Sequence, residues 1–137
     1  MSGGAASGAA LAAAAEGLVG CRFRLHGRTP DTGLDCLGLL AAALAALGRP
    51  APLPTGYGLR TGRIAGLDRI VAVCGLAVAE GAPRAGDVLL LRIGPCQLHL
   101  VIAADADRFV QAHAGLRRVV TGPGPLAGSI VGHWRLS

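Results

Sequence analysis

The sequence predicts an α+β domain in which helices of the first half pack on an antiparallel sheet of about five strands built by the second half. Three observations carry this. Up to about residue 80 the apolar residues recur at helical spacing. Beyond it they fall into short strand-like runs. Gly, Pro and Asp separate those runs, and helices followed by consecutive strands read as α+β. The 137 residues suit one domain spanning 1–137, with no internal repeat.

Residues 1–8 are expected to be a flexible start, followed by a helix over 9–19 that ends near Gly20. Glu16 interrupts its apolar run and no basic stretch precedes it, so it does not read as a secretory leader. "CRFRLHGRTPDTG" (21–33) is a loop by its turn residues. A second helix is expected over 35–47, since Cys36, Leu40, Ala43, Leu44 and Leu47 recur at helical spacing. Asp35 or Thr32 can cap its start, and Gly48 and Pro50 close it. "RPAPLPTGYG" (49–58) is a loop, because three prolines in five residues exclude a helix. A third helix is expected over 63–80, ended by Gly81 and Pro83. Strands follow at 86–93, 98–104, 108–114, 116–120 and 129–136.

Composition narrows the function. Hydrophobic residues make up 52% of the chain but aromatics only 3%, so Ala, Leu and Val must build the core. The net charge of +5 comes from arginines scattered along the chain. Such charge suits a polyanionic surface, yet no basic patch interleaved with aromatics points to nucleic acid. No apolar run approaches the roughly 18 residues of a membrane span. The four cysteines are spaced by 15, 38 and 22 residues without C-x-x-C, which reads as free thiols.

Cys36 is the first candidate for chemistry. At a helix start, free N–H groups and the helix dipole stabilise a thiolate. Cys21 and Cys74 read as core thiols. A cysteine nucleophile needs a base with an orienting partner. His99 alternates away from the Leu98, Leu100 and Ile102 face and shares a face with Val101. If the 108–114 strand pairs with it, Gln111 or His113 can hold one ring nitrogen while the other takes the thiol proton. Asp105 and Asp107 read as hairpin turn residues. Cys96 and His99 lie three apart, facing opposite sides of one strand, and no spacing matches a zinc pattern, so no metal is expected.

"GCRFRLHGRTPDTGLDCLGLL" resembles the nucleophile motif of the NlpC-type cysteine peptidases, roughly G-x-x-Y-x-x-G-G-x-x-P-x-x-G-x-D-C-S-G-L. "RAGDVLLLRIGPCQLHLVIAADADRFVQAHAG" resembles the second motif, a G-D-[LV] strand, then H-[VA]-[GA]-[IL], then F-[IV]-H-A. The likeness runs from about residue 10 to Trp134, with cysteine before histidine. The D-C-L-G-L variant, the small size and the ending "GHWRLS" are most similar to tail peptidases of phages and gene transfer agents.

The resemblance implies a papain-like NlpC-type fold and hydrolysis of peptidoglycan stem peptides at a D-glutamyl–diamino acid bond. It implies Cys36 as nucleophile, His99 as base and Gln111, with His113 as alternative, as the group orienting His99. It further implies an oxyanion contact from the Cys36 backbone, no cofactor, and other tail proteins as partners. Synthesis in a bacterial cytoplasm without a signal peptide and action at the cell wall as part of a phage-like tail follow from it. Phe23, His26, Asp35 and Tyr57 are expected to line the cleft, with Arg60 near a substrate carboxylate; Asp35 itself reads as a cap. Phe23 replaces the family's tyrosine, whose hydroxyl helps bind the oxyanion. That departure raises a second reading: a structural tail-tip or assembly protein of the same fold with weak or lost catalysis.

Overall fold

The computed structural model describes residues 3–49, 67–95 and 97–136. Helix α1 spans Gly3–Glu16, so it begins well before residue 9 and stops before 19. Strands β1 (Arg28–Thr29) and β2 (Gly33–Leu34) pair antiparallel as a small hairpin. Helix α2 covers Cys36–Ala46, within a residue of expectation. Helix α3 covers only Leu67–Val73, and strand β3 follows at Leu76–Val78. Strands β4 (Val88–Gly94), β5 (Gln97–Ala103), β6 (Arg108–His113), β7 (Arg118–Pro123) and β8 (Ser129–Leu136) complete the chain.

The third helix is therefore shorter than its 63–80 pattern. Gly75 takes φ +81°, a conformation that ends a helix, and Cys74 and Gly75 close the last turn onto Ile70 and Ala72. Leu76–Val78 then pairs with Trp134–Leu136. The expected helix end is thus a sixth strand: Leu76, Ala77 and Val78 fit the edge of a sheet that local periodicity cannot see. The part of the prediction at 63–66 lies outside the described residues.

The sheet order is β3-β8-β4-β5-β6-β7, antiparallel throughout. One face buries the main core. Leu11 and Ala15 of α1 and Leu37, Leu40 and Leu44 of α2 pack there with Val88, Leu90, Leu100, Ile102, Val110, Trp134 and Leu136. Cys36 through Leu40 are all buried, so α2 is apolar on nearly every side and enclosed. The opposite face carries a smaller cluster of Leu89, Leu91, Val101, Ala103 and Phe109, capped by Leu126 from the β7–β8 connection.

Two contacts fix how this frame holds together. Gly38 in the first turn of α2 lies against the Gly27 carbonyl, leaving no room for a Cβ. The loop before β1 can therefore press directly on the helix. Asp87, fully buried at the entry to β4, accepts from Arg135 Nε and Nη2 at 2.8 Å each, from His133 Nε2 at 2.6 Å and from the Arg84 N–H at 2.9 Å. Burial alone would raise its carboxyl, but these bonds bring it below the ordinary 3.8.

Two outcomes follow. Gly38→Ala should destabilise by about 2–3 kcal/mol in urea unfolding, although alanine is the better helix former. Asp87 has a depressed folded value, so its contribution is complete above 3.8 and is lost as pH falls toward the folded value. Asp87→Asn should cost about 3 kcal/mol near neutral pH. The difference between the two proteins should shrink as unfolding is measured at successively lower pH below 3.8.

Candidate active site

The site begins with Asp35. Its backbone is extended, with φ −96° and ψ −169°, and its Oδ1 accepts the Gly38 N–H at 2.8 Å, capping α2. Oδ1 also accepts from Arg28 Nη1 at 2.8 Å, and Oδ2 accepts from the His26 N–H at 2.8 Å. Thr32, the alternative cap, instead exchanges a hydroxyl hydrogen bond with Thr29. The first turn of α2 needs partners for its unpaired N–H groups. Asp35 takes that of Gly38 and the Asp35 carbonyl takes that of Leu39. The N–H groups of Cys36 and Leu37 turn to the Cys36 sulfur.

The thiol meets the sheet where it splits. The β5–β6 ladder is confined to Ile102↔Val110 and Ala103↔Phe109. Beyond those pairs the strands part, and the Leu100 N–H is directed at the Cys36 sulfur. His99 precedes that residue. By strand alternation it shares the face of Leu89, Leu91 and Val101, as its pattern predicts. His99 Nε2 bonds Gln111 Oε1 across the split at 3.0 Å. An acceptor oxygen there assigns the hydrogen to Nε2 and leaves Nδ1 with the lone pair. His113, the other candidate partner, accepts the Leu116 N–H at Nδ1 instead, at 3.0 Å.

Cys36, His99, Gln111 and His113 line one cleft of about 490 Å³. Phe23 and Asp35 line it too. Phe23 is fixed by its N–H to the Arg117 carbonyl and by a bridge to Leu34. His26 is not among the lining residues, although it was expected in the cleft. It sits exposed in a left-handed turn, φ +62°, and acts through its backbone on Asp35. Tyr57, Arg60 and Cys96 lie outside the described residues. The sequence reading missed the far wall, made by Leu91, Phe109, Pro125, Leu126 and Ala127. Its one signal was the length of "TGPGPLAG", more than a tight hairpin needs.

Electrostatics correct one expectation. The helix start was expected to depress the thiol. Burial instead pushes Cys36 up to about 12, against the N–H groups of Leu100, Leu37 and Cys36, with the Asp35 carboxylate adding to the rise. Burial also lowers His99 from 6.5; the Gln111 bond opposes this and His113 adds to it. Both groups are thus uncharged near neutral pH, so the resting cleft is lined by a neutral thiol and a neutral imidazole. Cys74 is buried, as expected of a core thiol, and Cys21 packs partly buried on the same core. No group of His, Cys, Asp and Glu among the described residues could hold a metal ion.

No protein-family model and no curated protein matches the chain. Solved structures do. NlpC1 from Trichomonas vaginalis is 20% identical with a TM-score of 0.70, over 93% of this chain and 44% of that one. The chain thus spans less than half the length of that protein. The P60 domain of an antigen from M. avium subspecies paratuberculosis is 16% identical with a TM-score of 0.62, over 96% of each chain. The peptidoglycan hydrolase RipB from Mycobacterium tuberculosis is 21% identical with a TM-score of 0.58, over 96% of this chain and 65% of that one. The fold is that of the NlpC/P60 domains, with helices packed on an antiparallel sheet.

The thiol's environment has a direct readout. Cys36 is 3% exposed and neutral, whereas Cys21 is partly exposed. Near neutral pH, iodoacetamide should therefore label Cys21 well before Cys36 in the ligand-free protein, followed by peptide mapping. Faster labelling of Cys36 would mean an activated thiolate at rest.

Proposed function

We propose that the chain is a cysteine peptidase that hydrolyses peptidoglycan stem peptides, with Cys36 as nucleophile, His99 as base and Gln111 as the group that orients the imidazole. The observation that carries this reading is the convergence of all three on one cleft, with the His99–Gln111 bond already formed. The NlpC/P60 fold and the two motifs that resemble the family point to the same chemistry.

The mechanism starts from neutral partners. As the sulfur attacks the scissile carbonyl, the thiol proton passes to His99 Nδ1, and Nε2–H stays on Gln111. Proton transfer during attack suits a buried pair, since neither charge need stand alone in the resting site. The Cys36 N–H, at the first turn of α2, receives the developing oxyanion. His99 then protonates the leaving amine. Water, deprotonated by His99, hydrolyses the thioester and frees Cys36. The cleft walls, Phe23 on one side and Leu126 on the other, hold the peptide between them.

Cleavage at a D-glutamyl–diamino acid bond, and work as a tail-borne hydrolase of a phage or gene transfer agent alongside other tail proteins, are the finer form of the proposal. They rest on the motif resemblance. The alternative, a tail-tip or assembly protein with weak or lost catalysis, is favoured by one observation: Phe23 brings a ring without a donor to the cleft.

Digestion of purified muropeptides, read by mass spectrometry, tests the reading. The wild type should give new masses that identify the bond, and Cys36→Ala should give none; identical products from both would sink it. Phe23→Tyr restores a hydroxyl at the cleft and should raise kcat, by on the order of 10²-fold if it reaches the oxyanion. An unchanged kcat would place the oxyanion contacts on the backbone alone.

A further inference from the structure

Four arginines from two segments far apart in sequence come together in space. Arg22 lies opposite Arg118 as an antiparallel bridge pair, so their side chains leave the same face. Arg24 lies two residues on, on that face again. Arg117 accepts the Phe23 N–H at its carbonyl, which puts it beside the same segment. All four side chains are exposed. None forms an ion pair among the described residues, where the acids in such pairs are Asp35 and Asp87.

Like charges directly opposite each other cost stability, and among the described residues no salt bridge to a carboxylate offsets them. The patch also has a definite place. Arg118 lies directly opposite His113 in the β6–β7 ladder, so the two side chains share a face, and His113 lines the cleft. The cleft itself presents mainly apolar walls beside the thiol, with Leu25, Leu91, Ile93 and Leu126 among them. Charge complementarity therefore lies at the rim, away from the reacting atoms.

We propose that Arg22, Arg24, Arg117 and Arg118 form an anion-binding rim that takes the free carboxylates of an acidic peptide whose uncharged portion enters the cleft. This deepens the peptidase reading, since it names what the substrate carries outside the scissile bond. A guanidinium matches a carboxylate in bidentate geometry, and four of them around one mouth suit several carboxylates on a branched peptide rather than one. The rim would lower KM and speed capture rather than raise kcat.

The test uses binding, so that it does not depend on catalysis. Cys36→Ala protein is co-sedimented with purified sacculi, either intact or with their carboxylates converted to amides. The same is done with a variant that also carries Arg22→Gln, Arg24→Gln, Arg117→Gln and Arg118→Gln. The expected result is at least about tenfold weaker binding on either change, no further loss when both are combined, and strong weakening by salt. The quadruple variant should melt no lower than its parent, since it removes like-charge repulsion. Retained binding by the variant, or unchanged binding to amidated sacculi, would overturn the proposal. So would tighter retention on duplex DNA or anionic lipid vesicles than on intact sacculi. Failure of the peptidase reading shows separately, as wild type and Cys36→Ala giving the same digestion products.

Discussion

The carboxylate of Asp35 holds the site together. Almost fully buried, it accepts the Gly38 N–H of the helix it caps, the His26 N–H of the preceding loop and the Arg28 guanidinium. One group thus sets the start of α2, the path of the loop before it and the pairing that follows. By taking the N–H of Gly38 rather than those of Cys36 and Leu37, it leaves two donors beside the sulfur. The same negative charge makes a thiolate harder to form at rest. Structure and chemistry pull on this residue in opposite directions, and burial of the pair resolves the conflict in favour of a neutral site.

The second constraint is the break in the sheet. A continuous β5–β6 ladder would use the Leu100 N–H for pairing and close the surface over Cys36. Because the ladder is confined to two residue pairs, α2 can thrust its first turn into the gap. The His99–Gln111 bond spans the same gap with side chains in place of backbone. The split therefore supplies both the room for the thiol and the geometry of the histidine. The buried cluster of Leu89, Leu91, Val101 and Phe109 beneath it, closed by Leu126, keeps the opened strands from exposing the core.

Much of this was legible in the sequence, and for identifiable reasons. Helix α2 follows from apolar spacing and an Asp cap, both local effects. The strands of the second half follow from runs bounded by Gly, Pro and Asp. His99 and Gln111 were assigned to the right face because strand alternation is a local rule, but the choice between Gln111 and His113 required the register between two strands. The end of α3 was misread because Leu76–Val78 carries a pattern compatible with either helix or strand, and pairing with β8 decides between them. Asp87 drew no attention as one acid before an apolar strand. Its partners Arg135 and His133 are more than forty residues away.

By itself, then, the sequence determined the fold class, the helix that carries Cys36 and the order of thiol, histidine and amide along the chain. Each depends on neighbours within a few residues, where periodicity and capping act. Only the tertiary structure decided the charge state of the site, the partner of His99, the cleft wall at Leu126 and the gathering of Arg22, Arg24, Arg117 and Arg118. A helix start favours a thiolate locally, but burial is a property of everything packed around it, and burial outweighs the helix start here.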